Sequence, residues 1–375
     1  MATFLVVHPY LDIYGGGEKV CHNVIKSLVL HGQNVELLSF DFDYNKYRDI
    51  VGEELPPEVT VHSLGTRIEI KPPFALYKRR RYFVKSLKAH RGRMNYDYLF
   101  LTQSSPPFEP VFLNKAKKNF AYVHFPEIHF EYERASTKRR VYLWLFKKWV
   151  EQGVGKLDLI FCNSVYTREL LDRYWKLGDQ PIVVYPPVNL DAFWCDKPLS
   201  ERRKSVVYVA RFASIKNHET MKKLASDLPS YEFVSAGALI KDEQGWFNDF
   251  SADLPQNYAV KTNLPASNLI NLYHDSRVYV HLMKGEHFGI APIEGLASGC
   301  VTLTHDSGGM KEFIPEEFRW KNYEDLKAKI VKYMESTEKS LNWERKRKEL
   351  WSKISDLNPQ SFQNTMWSHI QKLIS

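Results

Sequence analysis

Gly285-Glu286-His287-Phe288-Gly289-Ile290-Ala291-Pro292-Ile293-Glu294-Gly295-Leu296-Ala297-Ser298-Gly299 reads as a loop running into a short helix. Pro292 suits the first turn of a helix, where its fixed φ fits and its missing N–H is no loss. Gly299 supplies the stop. On this reading Glu286 stands on the loop and Glu294 in the first turn. Both surround a helix N-terminus whose backbone N–H groups can hold a phosphate. A carboxylate accepts hydrogen bonds from two vicinal hydroxyls. The pair therefore suits a ligand with a sugar at one end, a diphosphate in the middle and a ribose beyond. Taken alone, the same residues also fit an early-helix charge and an ordinary loop glutamate.

Working outward, short apolar runs alternate with helical patterns along the whole chain. Strands are predicted at 4–7, 35–39, 59–63, 98–102, 120–123, 159–162 and 182–185, then at 206–209, 231–236, 258–261, 278–282 and 301–304. Such alternation argues for parallel sheets with helices on both faces. The break is Tyr185-Pro186-Pro187-Val188-Asn189 followed by the polar run 196–204, a stiff connector between two domains. Near the end, Phe362, Met366, Ile370 and Leu373 recur at helical spacing and give one apolar stripe.

Three further elements fall at predicted strand ends. The first strand runs into His8-Pro9-Tyr10 and then Tyr14-Gly15-Gly16-Gly17-Glu18-Lys19. Glycines between strand and helix let backbone approach a ligand closely, although a flexible loop explains them equally. They do not form G-x-G-x-x-G, and no acidic residue completes a dinucleotide site. Tyr122-Val123-His124-Phe125-Pro126 ends a strand in a histidine, more often a structural feature when it stands alone. Val209-Ala210-Arg211 through Lys216-Asn217 puts two cations where ligands of open α/β sheets bind. Arginine offers a fork and lysine a point charge to a diphosphate; surface ion pairing is the plainer alternative.

In this order the elements resemble those of the retaining glycosyltransferases of family 4. Glu286 and Glu294 match the E-x7-E signature, with Phe288-Gly289 inside it and Ala297-Ser298-Gly299 after it. Arg211 and Lys216 match the Gly-Arg-x(4)-Lys element, with Ala210 in place of the usual glycine. The wording around His124, with Val184-Tyr185-Pro186-Pro187-Val188, resembles the mannosyltransferases that extend lipid-linked oligosaccharides. Asn163-Ser164 echoes the same family, and a helix cap explains it as well.

The resemblance implies an α/β GT-B fold, two Rossmann-like domains with parallel sheets facing across a cleft. An acceptor-side domain would span 1–190 and a nucleotide-sugar domain 200–355, with a helix in 356–375 packing back on the first. His124 would lie beside the donor sugar and Glu286 on it, with Arg211 and Lys216 neutralising the leaving diphosphate. Gly16, Gly17, Phe288, Gly289, Ile290 and Glu294 would bind the donor, Glu294 at the ribose. The implied donor is GDP-mannose or a UDP-hexose, used without metal or other cofactor, and the acceptor a saccharide or lipid-linked glycan. No nucleophile is evident for a covalent intermediate. Asp41-Phe42-Asp43 follows the second strand, outside the nucleotide-binding context of a metal-binding D-x-D motif, and reads as solvated loop charge.

No run approaches 18 apolar residues, which argues against a membrane span. Four scattered cysteines, Cys21, Cys162, Cys195 and Cys300, form neither a zinc pattern nor a disulfide framework and point to a reducing, cytoplasmic setting. The net charge of +8 is concentrated in the first half. Lys71, Lys78, Arg79, Arg80, Arg81, Lys85, Lys88, Arg91 and Arg93 are opposed only by Glu69, with Phe74, Tyr77, Tyr82 and Phe83 between them. A second cluster runs from Lys138 to Trp149. Cations mixed with aromatics suit an anionic membrane surface, so peripheral docking on the cytoplasmic face is expected. A soluble GT-B disaccharide synthase or epimerase, or a basic protein that binds membrane or nucleic acid without catalysis, is the competing reading. Nucleic acid is not the expected partner.

Overall fold

The computed structural model describes every residue except 12–14, 69, 71–72, 91–94, 103–107, 110, 112–115, 338–340 and 375. Tyr14, Glu69, Lys71, Arg91 and Arg93 therefore lie outside the described residues. The chain divides into two compact units, Met1–Pro186 with Phe362–Ser375, and Pro187–Ser361.

The first unit is built on seven parallel strands in the order β3-β2-β1-β4-β5-β6-β7. They are β1 Thr3–Val7, β2 Asn34–Ser39, β3 Thr60–Ser63, β4 Tyr98–Leu101, β5 Lys118–Val123, β6 Leu159–Cys162 and β7 Ile182–Val183. Parallel strands covered on both faces need apolar residues at every position, and Phe-Leu-Val-Val in β1 supplies them. Phe4 and Val6 join one core with Leu37, Phe100 and Phe120. Leu5 and Val7 point into the opposite core with Leu38, Leu99 and Leu101. Strand order reverses beside β1, whose neighbours are β2 and β4. Ligands of open α/β sheets bind at the carboxyl ends of strands at such a reversal.

The last helix, Pro359–Ile374, contributes Phe362, Met366 and Ile370 to the first of these cores. Polar contacts fix its register. Ser27 Oγ donates to the Gln363 carbonyl at 2.8 Å, Gln363 Nε2 donates to Asn23 Oδ1 at 2.9 Å, and the rings of His31 and Trp367 stack at 4.6 Å. Leu373, expected on the same stripe, instead stays exposed at 37%, in the last turn of the helix.

The second unit has six parallel strands in the order β10-β9-β8-β11-β12-β13: β8 Arg203–Val209, β9 Glu232–Gly237, β10 Tyr258–Thr262, β11 Ser276–Val280, β12 Val301–His305 and β13 Arg319–Trp320. Its reversal lies between β8 and β11, which pair directly. All twelve predicted strands are present. Only β13 was not foreseen, since two residues carry no periodicity. Gly237 is required where β9 ends, because a Cβ there would lie 1.8 Å from the Ala210 carbonyl oxygen.

Candidate active site

In the second unit, the loops after β8 and β11 leave the sheet at its reversal. The β11 loop carries Glu286. His281, buried just past the strand, approaches Glu286 Oε2 with Nε2 at 3.0 Å, and its Nδ1 lies 3.2 Å from the Tyr279 hydroxyl. The His287 backbone N–H reaches Glu286 Oε1 at 3.2 Å. Burial alone would raise the carboxyl pKa. The His281 hydrogen bond, with Lys216 and His287 nearby, instead holds it well below the usual carboxylate range. Glu286 is thus an anchored anion with a fifth of its side chain exposed and acceptor sites left for hydroxyls.

Its backbone is clamped as well. The Gly309 N–H donates to the Glu286 carbonyl at 2.8 Å, and the Gly285 N–H donates to Ser307 Oγ at 2.8 Å. At Gly308 (φ 78°) a Cβ would lie 2.3 Å from the Glu286 carbonyl oxygen. Gly289, with φ 92°, starts the helix Ile290–Ala297. A Cβ there would strike Met310 Sδ at 2.5 Å, so both glycines let the loop after β12 lie directly on the Glu286 loop.

Because the helix begins at Ile290, Pro292 is its third residue and Glu294 its fifth. Glu294 therefore lies beyond the first turn in which it was expected. Glu294 as a whole is 4% exposed, and the Tyr273 hydroxyl is 3.4 Å from its Oε2. Phe288 is buried and packs edge-on against Phe313. Its ring supports the loop from behind. Gly299, with φ 78°, follows the helix end as anticipated.

Arg211 and Lys216 stand on the neighbouring loop after β8. Their backbones are fixed: His218 Nε2 donates to the Arg211 carbonyl at 3.0 Å, and the Tyr208 hydroxyl donates to the Lys216 carbonyl at 2.6 Å. His218 stacks on Phe212 at 4.7 Å; burial, with Lys216 nearby, lowers its pKa to about 4, so it holds Arg211 as a neutral donor. Among the described residues neither cationic side chain makes an ion pair. Lys216 lies close enough to Glu286 to influence its ionisation. Two cations on the loop next to a fixed carboxylate, one of them close enough to act on it, can hold an anion and a hydroxyl-rich group at once.

In the first unit, the helix Gly16–Leu30 starts within the glycine cluster after β1, with Gly16 as its first residue. The Gly15 N–H donates to Glu18 Oε2 at 2.6 Å. Glu18 Oε1 lies 3.7 Å from Nε2 of the buried His8. A Cβ on Gly17 would sit 3.8 Å from the rings of both His8 and His124. His124, past the end of β5, donates from Nε2 to the Thr102 carbonyl at 3.0 Å. That bond sets its tautomer, since a carbonyl can only accept. Asn163 Nδ2 donates to the His124 carbonyl at 3.0 Å, and Ser164 caps the helix Val165–Trp175, so Asn163-Ser164 joins both roles.

Sequence reasoning singled out neither His281, Gly308, His8 nor Glu18 as a site residue. For His281 the available signal was a histidine ending an apolar strand that leads into the Glu286 loop. For His8 and Glu18 it was their position flanking the glycine cluster.

Other expectations are refined. Asp43 caps the helix Tyr44–Val51 by accepting from the Asn45 and Lys46 N–H groups. Asp41 accepts from the Ser63 and Thr66 hydroxyls, so both carboxylates shape the loop. Among the described residues no group of three His, Cys, Asp or Glu is placed to hold a metal, and no helix is long and apolar enough to cross a membrane.

The basic clusters lie on two helices, Ala75–Ala89 and Thr137–Val154, joined by the Tyr77 hydroxyl donating to the Tyr142 carbonyl at 2.9 Å. Phe74, Val141 and Trp144 face outward, 53% to 73% exposed, with Lys78, Arg79, Arg81, Lys138 and Lys148 exposed on the same helices. Arg80 departs from the expected solvent-facing set. Its guanidinium pairs with the buried Glu109 and lies 3.4 Å over the Trp149 ring.

Residues 14–192 match the model described as Glycosyltransferase Family 4, and residues 195–350 the model described as Glycosyl transferases group 1. The chain thus carries a family 4 domain followed by a group 1 domain, and it is a glycosyltransferase of the GT-B fold. Among its relatives is the GDP-Man:Man(3)GlcNAc(2)-PP-Dol alpha-1,2-mannosyltransferase of Homo sapiens. That enzyme is 27% identical, with 98% of this chain and 86% of that protein covered. The Candida glabrata enzyme of the same name is 23% identical over 80% of this chain and 68% of its own length. Similar solved structures include sucrose-phosphate synthase from Thermosynechococcus elongatus (TM-score 0.78, 17% identity, 100% and 99% of the two chains). Anabaena HepE in complex with UDP is another (TM-score 0.73, 11% identity, 99% and 100%).

Proposed function

We propose that this glycosyltransferase moves mannose, with retention of configuration, from GDP-mannose to a lipid-linked oligosaccharide, and needs no metal ion. The observation that carries the reading is the anchored Glu286 carboxylate and, on the adjacent loop at the reversal of the second sheet, Arg211 and Lys216, which make no ion pair among the described residues. The names of the mannosyltransferase relatives support the choice of donor and acceptor.

Arg211 and Lys216 meet the diphosphate, and their attraction strengthens as negative charge develops on the leaving group. Each such charge-assisted contact is worth about 1.5–3 kcal/mol, and two cations take over the charge neutralisation a metal would otherwise provide. Glu286 accepts from sugar hydroxyls and holds the ring while the glycosidic bond breaks. The departing phosphate oxygen takes the acceptor's proton, and the new bond forms on the same face. In the first unit, His124 and the glycine turn serve the sugar and acceptor. The cationic helices with outward Phe74, Val141 and Trp144 suit an anionic bilayer and keep the enzyme beside a prenyl-linked acceptor on the cytoplasmic face.

The test is transfer to a prenyl-diphosphate oligosaccharide from GDP-mannose, UDP-glucose and UDP-N-acetylglucosamine, each with and without EDTA. GDP-mannose alone should support transfer, and EDTA should not diminish it. Transfer from a UDP-sugar only would overturn the donor assignment. Loss with EDTA and recovery with manganese would overturn the metal-free mechanism.

A further inference from the structure

We propose that His8, Glu18 and Thr102 form a positioning relay that holds the glycine turn 15–17 and His124 in fixed register. It rests on the reading above only in taking His124 as a group that serves the transferred sugar. None of the three need touch substrate. They are positioning residues, each acting through another group.

The relay crosses three strand ends. Glu18 accepts the Gly15 N–H with one oxygen and faces His8 with the other. His8 Nδ1 lies 2.8 Å from Thr102 Oγ1, and that hydroxyl is 3.4 Å from the Val7 carbonyl, to which it can donate. The Thr102 backbone carbonyl then receives the His124 Nε2–H. Thr102 thus serves one histidine with its side chain and the other with its backbone, directly after β4. Gly17 closes the circuit, since both rings lie one van der Waals contact from where its Cβ would be.

The directions of the hydrogen bonds agree. If the Thr102 hydroxyl donates to Val7, it must accept from His8 Nδ1–H. A protonated His8 then also presents Nε2–H to Glu18. The groups facing His8 are Glu18 and Cys21 from the helix Gly16–Leu30, with Tyr47 from the helix Tyr44–Val51 close to both. Burial disfavours the charged ring, but Cys21 and Glu18 outweigh it and raise the His8 pKa to about 10. Burial likewise raises the Tyr47 pKa, helped by Cys21 and Glu18. An ion pair this deep is a weak source of net stability compared with apolar packing of equal volume, whereas its orientation is highly specific. That combination fits a device for geometry.

Two measurements on the full chain test the relay. In the first, histidine-selective 15N NMR at pH 8 identifies the signals of His8 and His124 by their loss in His8→Gln and His124→Gln. A doubly protonated His8 and an Nε2–H His124 are expected. A His8 with no proton on Nδ1, or a His124 protonated only on Nδ1, would overturn the relay. In the second, Thr102→Val removes the hydroxyl without changing side-chain shape, and Thr102→Ser keeps it. Thr102→Val should lower kcat about tenfold, the loss of one charge-assisted hydrogen bond, and shift the His124 resonance. Its melting temperature should fall by the few degrees that one lost buried hydrogen bond costs, its nucleoside diphosphate affinity should stay at the wild-type value, and Thr102→Ser should restore both kcat and melting temperature. Wild-type kcat and an unmoved His124 signal in Thr102→Val would overturn the proposal. Should the wild type transfer no sugar at all, the reading of function fails, and the NMR arm still decides the relay.

Discussion

The two sheets reverse strand order in the same way, yet the loops at the two reversals treat charge in opposite ways. After β1 and β4, the buried cation and anion, His8 and Glu18, face each other inside the first unit. After β8 and β11, Arg211 and Lys216 make no ion pair among the described residues, and Glu286 is held ionised by a histidine that leaves part of it open. One site spends its electrostatics on its own shape; the other keeps them for a ligand. The fold sets where a site lies, and the residues grafted there decide what it can bind.

The sharpest test of this contrast is Glu286→Ala. Transfer should fall by on the order of a hundredfold or more, while calorimetry finds nucleoside diphosphate affinity nearly intact. Loss of nucleotide affinity would mean that Glu286 holds the nucleotide end. Next come Arg211→Ala and Lys216→Ala, each expected to weaken nucleoside diphosphate binding about tenfold to a hundredfold. Unchanged affinity in both would place the diphosphate elsewhere and dissolve the comparison.

Stability against pH probes the same difference more gently. His8 has its pKa raised from 6.5 to about 10 by Cys21 and Glu18 against the cost of burial. Its contribution is therefore complete below pH 6.5 and is lost as pH rises towards 10. In the second unit, burial raises the Cys300 thiol from 9.0 to about 11, which weakens that unit only above pH 9. Hydrogen exchange between pH 6.5 and 9 should loosen the first unit selectively, and His8→Gln should flatten that limb. His218 acts with the opposite sign. Its depressed pKa, caused mainly by burial, favours folding above pH 6.5 and loses that advantage as pH falls towards 4.

The smallest effect concerns the surface. Arg79→Glu with Arg81→Glu should reduce co-sedimentation with anionic vesicles at low salt, since each cation near such a surface contributes about 1 kcal/mol. Nucleotide affinity, which the proposal assigns to the second unit, should not change. Arg80 is left out of this test because its pairing with Glu109 is structural. If the wild type ignores anionic vesicles, the cationic helices have another use.

The sheets were legible because parallel strands buried on both faces must be apolar throughout, as in Phe4-Leu5-Val6-Val7. Arg211, Lys216 and Glu286 were legible as loop residues after strands that prove to be sheet neighbours. Their roles came from resemblance, because no spacing rule assigns a carboxylate to a sugar. What escaped was contact between distant segments. Gly308 lies against Glu286 because the β11 and β12 loops meet, and Glu109 neutralises Arg80 from another element. Nothing local to either residue announces its partner. Pro292 does lie in the first turn of its helix, but Glu294 was placed one turn too early because the helix starts at Ile290, directly after the left-handed Gly289.

The packing of Phe362, Met366 and Ile370 into the core of the first unit bears on how this polypeptide is made. A ribosome delivers those three side chains only after the whole of the second unit has emerged. The second unit can therefore close first, while the amino-terminal sheet waits with one apolar face covered only in part, by the helix Gly16–Leu30. Nascent chains halted before Phe362 should bind chaperones through that face, and the arrival of Phe362, Met366 and Ile370 should be the event that seals it.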